Sequence, residues 1–201
     1  MRSSIAFICL VLAVLLSSTI GGESADFEFE KGWDAYVRGD YETALREWVP
    51  LAEHGHARAQ ANLGFLYVNG TGVPQDYTTA VKWYTLAAEQ GNAAAQTNLG
   101  GLYKEGQGVS RDDTTAVKWY KLAAEQGDAY AQQSLGWMNE TGRGTPQDHV
   151  RAHMWYNIAI SQGNEGATES RDNVEEEMTR ADISIAQNLA FNCVRKRYKG
   201  C

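Results

Sequence analysis

Cysteine is scarce in this chain. Three occur in 201 residues, and none lies between Gly21 and Asn192. That distribution excludes a disulfide-dense scaffold and a four-thiolate zinc site. Catalytic signatures are missing as well. No serine is followed by lysine at the Ser-x-x-Lys spacing, and no Gly-x-Ser-x-Gly elbow occurs. The Gly-x-Gly sequences lack the third glycine and the preceding strand of a dinucleotide loop. One long apolar run exists, Ile5 to Leu16. At about twelve residues it falls short of the roughly twenty needed to cross a bilayer core of ~30 Å. Cations are outnumbered: 18 Lys and Arg face 25 Asp and Glu, a net charge of −7 that argues against nucleic acid as a partner.

The apolar run follows Arg2 and gives way to small and polar residues from Ser17, the layout of a secretory signal. Residues 1–25 are therefore expected to be a signal peptide cut near Ser24 or Ala25, although Glu23 fits the small-residue rule poorly. An uncleaved membrane anchor is the alternative. Phe7 and Ile8 before Cys9 are too large for lipoprotein processing. Cleavage removes one cation, one anion and Cys9, so the mature chain keeps its charge of −7 and two thiols, Cys193 and Cys201. In an oxidising compartment these two are expected to form one disulfide, worth roughly 2–3 kcal/mol by chain entropy. A pair of inert reduced thiols is the alternative. Between them lie Arg195, Lys196, Arg197 and Lys199, read as a solvated basic patch at a helix end.

What the chain does contain is repetition. A block of thirty-six residues recurs three times, over 57–92, 93–128 and 129–164. Asn62-Leu63-Gly64 returns as Asn98-Leu99-Gly100 and Ser134-Leu135-Gly136. Gly70-x-Gly72 returns as Gly106-x-Gly108 and Gly142-x-Gly144. Ala80, Trp83, Tyr84 and Gly91 return as Ala116, Trp119, Tyr120 and Gly127, then as Ala152, Trp155, Tyr156 and Gly163. A period of this length marks a solenoid, in which each unit buries its apolar face on its neighbours.

Within one block, Ala59, Leu63, Leu66 and Tyr67 recur at the three- and four-residue spacing of a helix with one buried stripe. Gly64 inside that helix costs about 1 kcal/mol of propensity relative to Ala, so its return in every block predicts a close helix–helix approach. Gly70 to Gln75 is the turn, with Pro74 near the start of the next helix. Asp76, Asp112 and Asp148 are candidate N-caps. A second helix carries Ala80, Trp83, Tyr84, Ala87 and Ala88 and ends at Gly91.

These residues, Leu-Gly-x-x-Tyr followed by Gly-x-Gly-Val-Pro-x-Asp-Tyr, Ala-x-x-Trp-Tyr and Ala-Ala-Glu-Gln-Gly, are similar to the Sel-one-like repeat (SLR), a subtype of the tetratricopeptide helix pair. The resemblance implies an all-α, right-handed superhelical solenoid of antiparallel helix pairs. Residues 26–56 depart from the pattern: Gly32, Gly39-Asp40-Tyr41 and Ala44 have the spacing of an ordinary tetratricopeptide pair, with a turn four residues shorter. Pro50 is expected to kink its second helix. Residues 165–201 are read as a C-terminal capping segment, with Thr179 and Asp182 opening a last helix through Ile183, Ala186, Gln187 and Ala190, and with Glu175, Glu176 and Glu177 on a solvated face. This segment resembles the end of exported bacterial SLR proteins.

In such helix pairs the first helices line the concave face, and the residue after the glycine points into it. Those positions are Trp33, Phe65, Gly101 and Trp137. One turn later come Tyr36, Val68, Lys104 and Glu140; one turn earlier, Arg58, Ala94 and Tyr130. Residues fixed by packing recur between blocks and these do not, so they are the candidate partner-binding surface. Asn62 and Asn98 are candidates to bond a bound backbone. The resemblance implies a protein–protein adaptor, signalling regulator or host-interaction factor, exported to the periplasm of a Gram-negative bacterium, with no cofactor. Some cysteine-rich relatives have been described as β-lactam hydrolases or penicillin binders, but they carry a cysteine pair in each repeat and this chain does not. A structural envelope component is a further alternative. His149 and His153 have metal-ligand spacing on a helix, yet they align with Tyr77, Asp113, Val81 and Val117, and no metal is expected there.

Overall fold

A computed structural model describes residues 24–201. The signal peptide expected over 1–25 lies outside the described residues but for its last two positions. The described chain is all-helical and contains no strand. Helix α1 covers 24–37. It pairs with α2 (Tyr41–Glu53), α3 (Ala57–Asn69) with α4 (Tyr77–Glu89), α5 (Ala93–Glu105) with α6 (Asp113–Ala124), and α7 (Ala129–Thr141) with α8 (His149–Ser161). A short 3-10 turn, Glu165–Ala167, then leads into α9 (Thr168–Glu176) and α10 (Arg180–Arg195).

Local chemistry sets these boundaries. Asp76 accepts from the backbone N–H of Thr78 and Thr79, Asp112 from Thr115 and Asp148 from Arg151, so each second helix opens on the expected aspartate. The first helices are capped too, by His56, Asn92 and Asp128, which the sequence reading did not single out. Asn92 serves two helices. Its N–H closes α4 onto Ala87 O while its side chain accepts from Ala95 N. The turn between α1 and α2 is residues 38–40, against 70–76 between α3 and α4, which is the expected four-residue difference. Helix α2 runs on through Pro50 to Glu53.

The repeated glycines answer to two separate contacts. A β-carbon on Gly64, Gly100 or Gly136 would fall 2.7, 2.8 or 2.5 Å from the ring of Tyr84, Tyr120 or Tyr156 on the paired helix. Gly32 meets Trp48 in the same way. The second glycine of each turn faces the preceding pair instead. Gly108 lies against the Tyr77 carbonyl and Gly144 against the Asp113 carbonyl, both at positive φ (71° and 67°). Each turn therefore sits on the start of the previous second helix, where neither space nor backbone conformation admits a side chain.

A column of buried amides runs beside these contacts. Gln60 donates to Ala52 O at 2.9 Å and accepts from Gln90 at 2.7 Å; Gln96 donates to Ala88 O at 3.0 Å and accepts from Gln126 at 2.8 Å. Gln132 begins a third rung to Ala124 O, but Gln162 turns to Ser161 and leaves Gln132 Oε1 buried without a partner among the described residues. The regular stack ends there.

Both ends of the solenoid change character. Lys31 and Asp34 occupy the places of Leu63 and Leu66 on the open edge of α1, and Lys31 pairs with Glu47 at 2.8 Å. At the other end α9 buries only Val174, and α10 folds back on α8 through Ala186, Ala190 and Cys193. Thr179 caps α10 as expected, accepting from Asp182 N and donating to its carboxylate. The Cys193–Cys201 disulfide closes the tail. Glu175 and Glu177 are not simply solvated: Glu175 lies 3.0 Å from the buried His153 ring and Glu177 3.6 Å from His149, tying α9 to α8.

Two glycines of the first helices, Gly136 and Gly101, should respond with opposite signs. Gly136→Ala meets a fully buried Tyr156 ring and should lose about 1–3 kcal/mol in urea denaturation despite the better propensity of Ala. Gly101→Ala finds only Tyr120 Oη at 3.7 Å and should gain about 0.5–1 kcal/mol. A stabilised Gly136→Ala would contradict the packing account.

Candidate protein-binding groove

Among the first helices, α3 reaches α5 directly. Their free faces form a trough, and its N-terminal half is aromatic. Trp33, Tyr36 and Phe65 line a cleft of about 220 Å³, with Ala61, Asn62, Ala94 and Asn98 completing the walls and Trp48 and Tyr84 the floor. Trp33 and Tyr36 are 5.5 Å apart between centroids and Tyr36 and Phe65 are 6.4 Å apart, edge-on. Trp33 is 43% exposed and Phe65 44%. Leaving two large rings open to water forgoes roughly 1 kcal/mol or more each of burial, so packing alone does not account for them. The floor is fixed from below. Trp48 Nε1 donates to Phe29 O at 3.1 Å, and burial pushes the Tyr84 hydroxyl far above the usual phenol range.

Asn62 adds polarity at a precise place in this apolar cleft. Its side-chain nitrogen is buried and donates to nothing among the described residues. A buried donor left unpaired costs about 1–3 kcal/mol, which a turn of the side chain toward an acceptor in the cleft would recover.

The C-terminal half of the trough has different chemistry. Lys104 Nζ stands 5.0 Å and the Arg143 guanidinium 4.6 Å from the centre of the Trp137 ring. Arg143 also bonds Asp113 of the preceding pair at 3.0 Å. The Tyr156 hydroxyl donates to Glu140, and burial, then that carboxylate, hold the phenol protonated. Lys104, Ser134, Trp137 and Ser170 enclose a second, polar hollow. The sequence-derived set thus divides. Trp33, Tyr36 and Phe65 come together; Lys104, Trp137 and Glu140 gather elsewhere. Tyr130, 70% exposed, stands near Ala94 and Asn98 between the two. Val68 is partly buried against the cluster that includes Tyr84, and Arg58 lies over Phe29, bonded to Glu30 at 3.1 Å. Tyr84 escaped the sequence reading because its repetition marks it as a packing residue, which it also is, and Trp48 lies in the first pair, outside the repeated blocks. His153 is 1% exposed, with Glu175 and Asn157 on its two ring nitrogens.

Helix pairs stacked in register around a trough define a repeat scaffold. A family model described as the Sel1 repeat matches residues 57–92, 93–128 and 129–164, and the chain belongs to the Sel1 repeat family. Such repeats generally serve as protein-binding scaffolds. Among solved structures, c5321, described as a protective antigen present in uropathogenic Escherichia coli strains and displaying an SLR fold, is 40% identical. The match has a TM-score of 0.68 and covers 76% of this chain and 34% of that one. A Sel1 repeat protein from Oxalobacter formigenes is 36% identical with a TM-score of 0.68, covering 72% of this chain and 57% of its own. The chain therefore spans about a third of the first relative and just over half of the second. The comparison with curated proteins finds no match.

The ion pairs of Arg111 and Arg143 hold the Asp113 carboxyl down at about 2. A depressed carboxylate stabilises the fold above its unfolded value and loses that contribution as pH falls. The stability difference between wild type and Asp113→Asn should be constant above about pH 4, shrink between about pH 4 and 2, and vanish below. At neutral pH the pair's partial exposure keeps it under ~1 kcal/mol. Urea denaturation across that range measures it, and a gap unchanged at pH 2 would count against the ion pair.

Proposed function

We propose that this chain is an exported scaffold that holds a segment of a partner protein in its trough. An apolar or aromatic side chain of the partner enters the cleft of Trp33, Tyr36 and Phe65, and a backbone carbonyl meets the side-chain N–H of Asn62, with Asn98 beside it. The observation that carries this reading is the coincidence of exposed aromatic rings and an unpartnered amide in one cleft. Among the described residues neither the rings nor the amide is satisfied, and a peptide segment satisfies both. Trp137, Lys104, Arg143, Glu140 and Tyr130 extend the contact to a second, polar section, so the segment is an elongated one.

Export is supported by the apolar run Ile5 to Leu16 behind Arg2 and by the Cys193–Cys201 disulfide, which suits an oxidising compartment. No helix of the described residues is long and apolar enough to cross a membrane. Periplasmic residence in a Gram-negative cell follows as the setting, with the role of adaptor, signalling regulator or host-interaction factor.

Peptide-library selection on the immobilised protein tests the groove. Selected peptides should carry a large apolar residue, and Trp33→Ala/Phe65→Ala should weaken their binding at least tenfold, about 1.4 kcal/mol or more. Asn62→Leu should weaken them less, and Phe27→Ala, outside the cleft, should leave them unchanged. Equal binding by wild type and the double variant sinks the assignment.

A further inference from the structure

The end of the chain is built unlike the repeats. Helix α10 stops at Arg195, and the chain reverses through Arg197 and Tyr198, both left-handed at φ 52° and 64°. Cys201 is then tied back to Cys193, which is 2% exposed and anchored in the core between α6 and α8. Four cations fall inside this closed loop, Arg195, Lys196, Arg197 and Lys199, with no acidic residue among them. All four are exposed. Only Lys199 has a carboxylate within reach among the described residues, Glu125 at 4.0 Å. A chain of net charge −7 thus concentrates positive charge on one pinned tail.

Beside the cations, α10 leaves apolar surface in water. Phe191 is 64% exposed and Val194 is 40% exposed, and the Arg195 guanidinium stands 5.7 Å over the Phe191 ring. Cations interleaved with exposed apolar side chains match an interface of phosphate headgroups over acyl chains. A soluble polyanion would engage the cations and leave Phe191 and Val194 wet.

We infer that the disulfide-closed tail docks this protein on an anionic phospholipid surface. The phosphates meet Arg195, Lys196, Arg197 and Lys199, while Phe191 and Val194 enter the acyl boundary. The acidic remainder is repelled by the same surface, which orients the molecule tail-first. The disulfide holds the cations against the end of α10, so little freedom is lost on contact. The aromatic cleft lies on α1, α3 and α5, whereas the tail follows a helix packed on α8, so occupancy of one leaves the other open.

Cosedimentation of the purified full chain with vesicles tests this. Phosphatidylcholine alone is compared with phosphatidylcholine containing about one third phosphatidylglycerol. Each Lys or Arg near such a surface contributes about fivefold, so partition onto the anionic vesicles should be at least about tenfold stronger and should fall with added salt. Replacing Arg195, Lys196, Arg197 and Lys199 together by Gln should return it to the phosphatidylcholine level. Phe191→Ser/Val194→Ser should weaken it several-fold while keeping the salt dependence. Any contribution of residues 1–25 is shared by wild type and variants, and every substituted side chain is exposed, so the fold is retained. Equal partition onto both vesicle types, or a quadruple variant that binds like wild type, overturns the inference. Salt-sensitive binding to heparin with none to anionic vesicles also overturns it and assigns the tail to a soluble polyanion.

Discussion

The fold depends on one contact, the face of an aromatic ring laid on a helix where no β-carbon stands. Tyr84, Tyr120 and Tyr156 each press on the glycine of the partner helix, and Trp48 does the same in the first pair. Removing the β-carbon costs helix propensity, about 1 kcal/mol, and gains a flat, close approach that a fully buried ring fills. The hairpin angle follows from that approach. Because the ring also forms part of the floor of the trough at Trp48 and Tyr84, the contact that makes the hairpin also makes the site.

Hairpins become a solenoid through a different set of atoms. The second glycine of each turn rests on the start of the preceding second helix, and Gln60 and Gln96 join each pair to the one before it by donating to the helix-end carbonyls of Ala52 and Ala88, while Gln90 and Gln126 bond them from within the pair. Buried amides of this kind contribute modest net energy but penalise misregister heavily, since a slipped repeat strands both donor and acceptor. Where the rung fails, at Gln132, the chain abandons the repeat and changes to α9, α10 and the His153–Glu175 bridge.

This division explains what the sequence could and could not convey. Caps at Asp76, Asp112 and Asp148, the glycine approach and the shortened first turn are local or periodic, and a reader of the sequence meets them directly. The glutamine rungs connect residues 30 apart across one helix hairpin, so periodicity shows that they recur but not whom they touch. His153 and Glu175 meet only because α9 leaves the repeat path. The trough was legible as a set of positions, by their failure to recur. Its partition was not, because the gathering of Trp33, Tyr36 and Phe65 depends on the first pair having a tryptophan, Trp48, beneath them.

That partition has a physical origin in one position. The residue following the glycine is Trp33, Phe65, Gly101 and Trp137 in the four pairs, from indole to no side chain at all. A position that accepts such a range is not held by the core, whose neighbours in the three repeats, Leu63 and Leu66, Leu99 and Leu102, Leu135 and Met138, are buried and nearly constant. Gly101 removes the wall from the middle of the trough. Aromatic surface on one side and the Lys104–Trp137–Arg143 stack on the other are thereby separated by an open saddle flanked by Tyr130. A compact ligand would engage one section. An extended chain can lay an apolar side chain at one end and a polar one at the other while its backbone crosses the gap, and of the two shapes only this one uses all the surface the packing leaves unspent.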